Sequence, residues 1–130
     1  MDKNIWIVDD DESIRWVLEK GLEDGGMKVQ TFDSANKVIK KLETENPQLI
    51  LTDIRMPGPS GIDLLDKVKE MRPDIPVIIM TAHSDLDSAV ESYEHGAWEY
   101  LPKPFDIEEA VSMVQRATAT DKAGKEEEVE

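Results

Sequence analysis

Four acidic residues in a row, Asp9-Asp10-Asp11-Glu12, follow directly on the apolar run Ile5-Trp6-Ile7-Val8, and a single aspartate, Asp53, follows a second run, Leu49-Ile50-Leu51-Thr52. Thr81 closes a third run, Pro76 to Met80, and Lys103 follows a fourth, Ala97 to Leu101. Carboxylates gathered at one place with their charges unneutralised need a cation. An all-oxygen donor set, with 0 cysteines and only 2 histidines in the whole chain, suits a hard ion. Two or three carboxylates with water and a backbone carbonyl suit Mg2+. Asp11, Glu12 and Ser13 read equally well as solvated loop charges or as the cap of a following helix. A calcium-binding loop starting at Asp9 is excluded, because Ile14 stands where the sharp-turn glycine belongs and Lys20 where the bidentate glutamate belongs.

For these residues to meet, the ends of the apolar runs must reach one edge of a sheet. Short apolar runs alternate with helix-period segments five times along the chain, which is the α/β pattern. Strands are expected at 5–8, 28–32, 49–52, 76–80 and 97–101. Between them, apolar residues at helical spacing predict five helices. Their inward stripes are Ile14, Val17, Leu18 and Leu22; Ala35, Val38, Ile39 and Leu42 behind a Ser34 cap; Leu64, Leu65, Val68 and Met71; Leu86, Ala89, Val90 and Tyr93 behind Ser84 or Asp85; and Ile107, Ala110, Val111, Val114 and Ala117 behind Asp106. Right-handed crossovers then give a doubly wound, five-stranded parallel sheet, order 2-1-3-4-5, flanked by five helices, a flavodoxin-like α/β fold. Functional groups of such folds gather outside the carboxyl ends of the strands, which puts Asp9 or Asp10 beside Asp53 at the switch point.

The chain has 130 residues, enough for one core, with 15 Lys and Arg against 29 Asp and Glu. A formal charge of -14 argues against direct binding of nucleic acid. No run approaches the roughly 18 apolar residues of a membrane span, and the first apolar run is too short for a signal peptide. With the absence of cysteine, these features suit a cytoplasmic protein. The division expected is a domain over 1–118 and an acidic linker or disordered tail over 119–130, where five acids and two lysines leave little to bury. His83-Ser84-Asp85 has the residue types of a hydrolase triad, but adjacent residues cannot form one. The glycines form neither a dinucleotide fingerprint nor a phosphate-cradling loop. Trp6, Trp16 and Trp98 read as packing residues.

Four motifs in order, VDDD, TDIRMPG, MTAHSD and YLPKPF, resemble the receiver domain of two-component response regulators from about Lys3 to Ala117. The segments SIRWVLE and PVIIMTAHSDLDSAV are similar to the nitrogen-regulatory class of enhancer-binding transcriptional activators. The resemblance implies that Asp53 is the phosphoacceptor, that Asp9 and Asp10 are the acidic pair holding Mg2+, and that Arg55 lends the metal its backbone carbonyl. Alignment on Ile14-Arg15 favours Asp9 and Asp10 over Asp11. Thr81 and Lys103 would grip the phosphoryl oxygens, and Tyr100 would be the aromatic whose orientation follows Thr81. Ser84 and Asp85 fall in the loop that a moving Thr81 would pull. The chemistry agrees: phosphoryl transfer to a carboxylate needs a nucleophile, a divalent ion and a fixed cation. Lys103-Pro104 is either cis or trans on the sequence alone.

The expected function is that of a phosphorylation-operated switch, not an enzyme. A sensor histidine kinase would donate to Asp53, the domain would shift between two conformations, and an output domain of the same full-length protein would respond, with homodimerisation on phosphorylation as a possible accompaniment. Resemblance places the output surface on the fourth helix, fifth strand and fifth helix. The Ser-rich segment 84–96 is expected to be among the least firmly docked helices. The alternatives are an Asp-nucleophile, Mg2+-dependent phosphatase, which needs a second acid where Arg55 stands, and an interaction domain whose acidic pocket is incidental.

Overall fold

The computed structural model describes the backbone of residues 4–82 and 84–129, with side chains as far as residue 119. In chain order the elements are β1 (Asn4–Val8), α1 (Glu12–Asp24), β2 (Lys28–Phe32), α2 (Ala35–Leu42), β3 (Leu49–Asp53), α3 (Gly61–Met71), β4 (Val77–Ala82), α4 (Leu86–Glu94), β5 (Glu99–Lys103) and α5 (Ile107–Val129). All four strand pairings are parallel and the order is β2-β1-β3-β4-β5, as the sequence predicts.

The central strands are apolar on both faces because helices cover both. Alternation sorts their side chains into two cores. Ile5, Ile7, Leu49, Leu51, Ile78, Met80 and Leu101 pack against Leu18 and Leu22 of α1 and Ala110, Met113, Val114 and Ala117 of α5. Trp6, Val8, Ile50, Val77 and Ile79 face the other way, onto Val38 and Leu42 of α2 and Leu64, Leu65 and Val68 of α3. No helix among the described residues is long and apolar enough to cross a membrane.

Several expectations need correction. The fifth strand is Glu99–Lys103, two residues later than the stretch 97–101, and it ends at Lys103. Trp16 is 60% exposed and Val17 42%, because α1 turns only Leu18 and Leu22 fully inward. Trp16 lies on the outer side, with Lys20 Nζ 5.9 Å from its ring. Of the stripe expected on α4, Leu86 is 63% exposed, Val90 50% and Tyr93 42%, while Ala89 and Ser92 are buried. Ser92 tolerates burial by donating its hydroxyl to the Ala89 carbonyl at 2.7 Å. The last helix, α5, runs to Val129. Ala, Lys and Glu there are strong helix formers, although the last buried residue among those described is Ala117.

Caps set where several of the helices start. Asp11 begins α1, Ser34 begins α2, and Asp85, rather than Ser84, begins α4, each accepting from a backbone N–H of the first turn. Ser60 and Asp63 form a reciprocal capping box on α3. Gly61 then lets α3 start against the end of β3: a Cβ there would stand 2.2 Å from the Asp53 carbonyl oxygen and 2.9 Å from its carbon. Backbone atoms cannot swing aside. Gly61→Ala should therefore cost at least about 2 kcal/mol and displace the backbone that carries Asp53. Urea denaturation checks the cost, and a change under about 0.5 kcal/mol, the scale of an ordinary surface substitution, contradicts it.

Candidate functional site

Period-two alternation delivers three charged residues to one face of the sheet's carboxyl edge. Asp9 follows Ile5 and Ile7, Asp53 follows Leu49 and Leu51, and Lys103 follows Leu101, all in columns that face α1 and α5. Thr81 stands at the same edge in the opposite column, after Ile79, and Tyr100 faces the same way from beside Ile79, two residues back from that edge, next to the core under α2 and α3.

Asp9 is fully buried, and its polar atoms are all engaged. Its N–H donates to the Phe32 carbonyl at 3.1 Å. Its Oδ1 accepts from the Asp11 N–H at 2.9 Å, and its Oδ2 from Lys103 Nζ at 2.9 Å. Its carbonyl accepts from Arg15 Nη1 at 2.7 Å. Lys103 Nζ is also 3.4 Å from Asp53 Oδ1, so one ammonium serves two carboxylates. Asp53 Oδ1 accepts in addition from the Ile54 N–H at 3.0 Å. The Lys103-Pro104 peptide is cis.

Burial and then the charge of Asp9 push the Asp53 carboxyl above its ordinary value, against the partial relief that Lys103 gives. Burial by itself would depress the Lys103 ammonium. Its hydrogen bond to Asp9 and the fields of Asp53 and Asp9 outweigh that and hold it above the ordinary lysine value.

Asp11 is committed to its helix: Oδ1 accepts the Ser13 N–H at 2.9 Å. Asp10 is exposed, and one oxygen from each of Asp9, Asp10 and Asp53 lies within 4.8 Å of the other two. Three carboxylate oxygens at that spacing fit a hard divalent cation such as Mg2+. Arg55 sits two residues past Asp53, and its guanidinium leaves the pocket to meet Asp85 Oδ2 at 2.9 Å. Ser84 is exposed, and His83 lies outside the described residues. The half-buried Tyr100 ring meets Tyr93 edge-on, centroids 5.8 Å apart. Arg15 is the contributor the sequence reading missed; only its place one helical turn into α1 hints at a reach back to strand 1.

The response regulator receiver domain model matches residues 5–115. The chain belongs to that family. It is 59% identical over 112 residues to the DNA-binding transcriptional regulator NtrC of Klebsiella pneumoniae, a match covering 86% of this chain and 24% of the relative. The NtrC of Escherichia coli K12 is 55% identical over 113 residues, 87% of this chain and 24% of the relative. This receiver thus spans about a quarter of the length of those regulators. Among solved structures, the apo receiver domain of nitrogen regulatory protein C superposes with a TM-score of 0.82 at 54% identity, covering 90% of this chain and 94% of that one. Its BeF3-activated form gives 0.80 at 52% identity, covering 94% and 99%. The similarity to the nitrogen-regulatory class that the sequence motifs suggest is borne out.

Replacing Lys103 by Met strands a buried carboxylate without its ammonium, and should destabilise the receiver by about 3 kcal/mol at neutral pH. In that variant the native carboxylates hold protons more tightly than the unfolded chain does, so the deficit shrinks as the pH falls. Urea melts of both proteins from neutral to mildly acid pH check this, and a deficit that does not change with pH contradicts it.

Proposed function

We propose that this receiver accepts a phosphoryl group on Asp53 from a sensor histidine kinase and passes the event on as a change in conformation. The observation that carries the reading is the set of groups around the Asp53 carboxylate: Lys103 at 3.4 Å, and two further carboxylates within metal-sharing distance. In the transfer, a carboxylate oxygen of Asp53 attacks phosphorus, the P–N bond to the donor imidazole breaks, and an acyl phosphate forms. Asp9, Asp10, Asp53 and the backbone carbonyl of Arg55 would hold Mg2+, which would supply charge neutralisation on the phosphoryl oxygens. Lys103 neutralises the phosphoryl group from β5, and Thr81 offers a hydroxyl from β4. Burial and then the charge of Asp9 raise the Asp53 carboxyl, which makes its carboxylate a more basic nucleophile than an exposed one.

The conformational change runs from Thr81 through Ser84 and Asp85 to α4, with Tyr100 following Thr81. Phosphorylation displaces α4, and the face formed by α4, β5 and α5 carries the signal to an output domain of the full-length protein or to a second copy. Residues 1–118 are the receiver proper, and 119–130 lead toward the output domain. By similarity to the NtrC proteins, the output is transcription of nitrogen-regulated genes in the cytoplasm, with no DNA contact by the receiver itself, whose acidity opposes it. The receiver is not an enzyme in this reading. The phosphatase alternative is disfavoured because the residue two after Asp53 is Arg55, whose guanidinium is engaged with Asp85.

Incubation with acetyl phosphate and Mg2+, followed by peptide mapping, should place the phosphate on Asp53. Asp53→Asn should take up none and Asp10→Asn markedly less, with weaker Mg2+ binding read from tryptophan fluorescence. Phosphate on Ser84 or Thr81, or unchanged Mg2+ affinity in Asp10→Asn, would overturn the assignment.

A further inference from the structure

Little apolar surface holds α4 in place. Its buried residues are Ala89 and Ser92, and polar pairs secure its two ends. At the amino end, Asp85 caps the helix and meets Arg55. At the carboxyl end, the cap residue His95 places Nδ1 2.6 Å from Asp66 Oδ1 on α3 and Nε2 3.8 Å from Glu91 Oε2, one turn back on α4. This second junction joins residues 29 positions apart in the chain. It lies on the α3 side of α4, away from the Asp9, Asp10 and Asp53 cluster.

We propose that the His95–Asp66 pair is a pH-sensitive pin that fixes the carboxyl end of α4 to α3 in the resting receiver, and that it opens when α4 is displaced. The second half rests on the reading of α4 as the moving element. The groups facing His95 are Asp66 from α3 and Glu91 and Glu94 from α4, with Lys69 of α3 against the neighbouring Gly96 and Asp74 farther along the cleft that these two line. Three carboxylates against one ammonium favour an imidazolium. The hydrogen bond to Asp66, opposed by partial burial and aided by the charges of Asp66, Glu91 and Glu94, holds His95 above the ordinary histidine value. With α4 displaced, the bond to Asp66 is lost while Glu91 and Glu94 move with the helix, and the imidazole falls toward that ordinary value. The docked helix is therefore favoured below the ordinary value, and this advantage is lost as the pH rises through the raised one. Charge-assisted pairing weakens through that window, so the resting position loosens toward alkaline pH. A neutral imidazole keeps only an ordinary hydrogen bond to Asp66.

The test is an NMR titration of the His95 ring with backbone amide shifts of residues 86–95, on the wild type, Asp66→Asn and His95→Gln, with and without beryllofluoride and Mg2+. The His95 midpoint should lie above the ordinary imidazole value in the resting wild type and fall toward it in Asp66→Asn and after beryllofluoride. Without beryllofluoride, the displaced fraction of α4 should grow roughly two- to fivefold across the wild-type window, the scale of an exposed ion pair, and stay flat in His95→Gln. An unchanged His95 midpoint in Asp66→Asn overturns the pin. Amides of α4 that ignore beryllofluoride overturn its opening together with the switch reading, whatever His95 does in the absence of the phosphoryl mimic.

Discussion

A fully buried carboxylate is tolerated in this domain because a lysine from the far end of the chain reaches it. The 2.9 Å contact between Lys103 Nζ and Asp9 Oδ2 joins residues 94 positions apart, and the same ammonium lies 3.4 Å from Asp53. Desolvated charges cost several kcal/mol each unless they are paired and hydrogen-bonded, and Asp9 meets both conditions. The rest of the fold follows from that requirement. Five parallel strands must align their carboxyl ends within a residue or two, and the two apolar cores fix that register, since a slip of one residue would turn Asp9, Asp53 and Lys103 to the opposite face.

The cluster is nonetheless incompletely neutralised. One ammonium stands against the carboxylates of Asp9, Asp10 and Asp53, and burial followed by the charge of Asp9 keeps the Asp53 carboxyl above its ordinary value in spite of Lys103. A divalent ion or a phosphoryl group entering this pocket changes the balance that holds the strand ends, and the nearest loosely held element is α4. Its amino end is connected to the pocket through Arg55 and Asp85. A rigid sheet carrying a charged edge, next to a helix that buries only Ala89 and Ser92, has the mechanical asymmetry that a two-state switch requires.

The strands and their order were legible because buried parallel strands are written as unbroken apolar runs, and the site was legible because its residues terminate those runs. Asp11 is set apart from Asp9 and Asp10 in the sequence only by the register of Ile14-Arg15 and by its place before a helix; the hydrogen bond from the Ser13 N–H makes it the cap. Helical spacing shows which residues share a face but not whether anything covers that face, which is why Leu86, Val90 and Tyr93 are exposed where a buried stripe was expected. Trp16 is exposed for the same reason. The apolar pattern of the fifth strand begins at Ala97 and Trp98, whereas its pairing with β4 runs from Glu99 to Lys103. Contacts such as Arg15 with Asp9 or His95 with Asp66 depend on how helices seat against the sheet and each other, and leave no local signal.

The central claim is that the acidic strand ends form one cation-dependent phosphoryl site. A crystal structure of the protein with Mg2+ and beryllofluoride tests it most directly. The account predicts beryllium bonded to an Asp53 oxygen, the metal shared by Asp9, Asp10, Asp53 and the Arg55 carbonyl, and Lys103 and Thr81 on the fluorides. Beryllofluoride and metal bound elsewhere, or a pocket still closed by the Lys103–Asp9 pair at saturating concentrations of both, would contradict it.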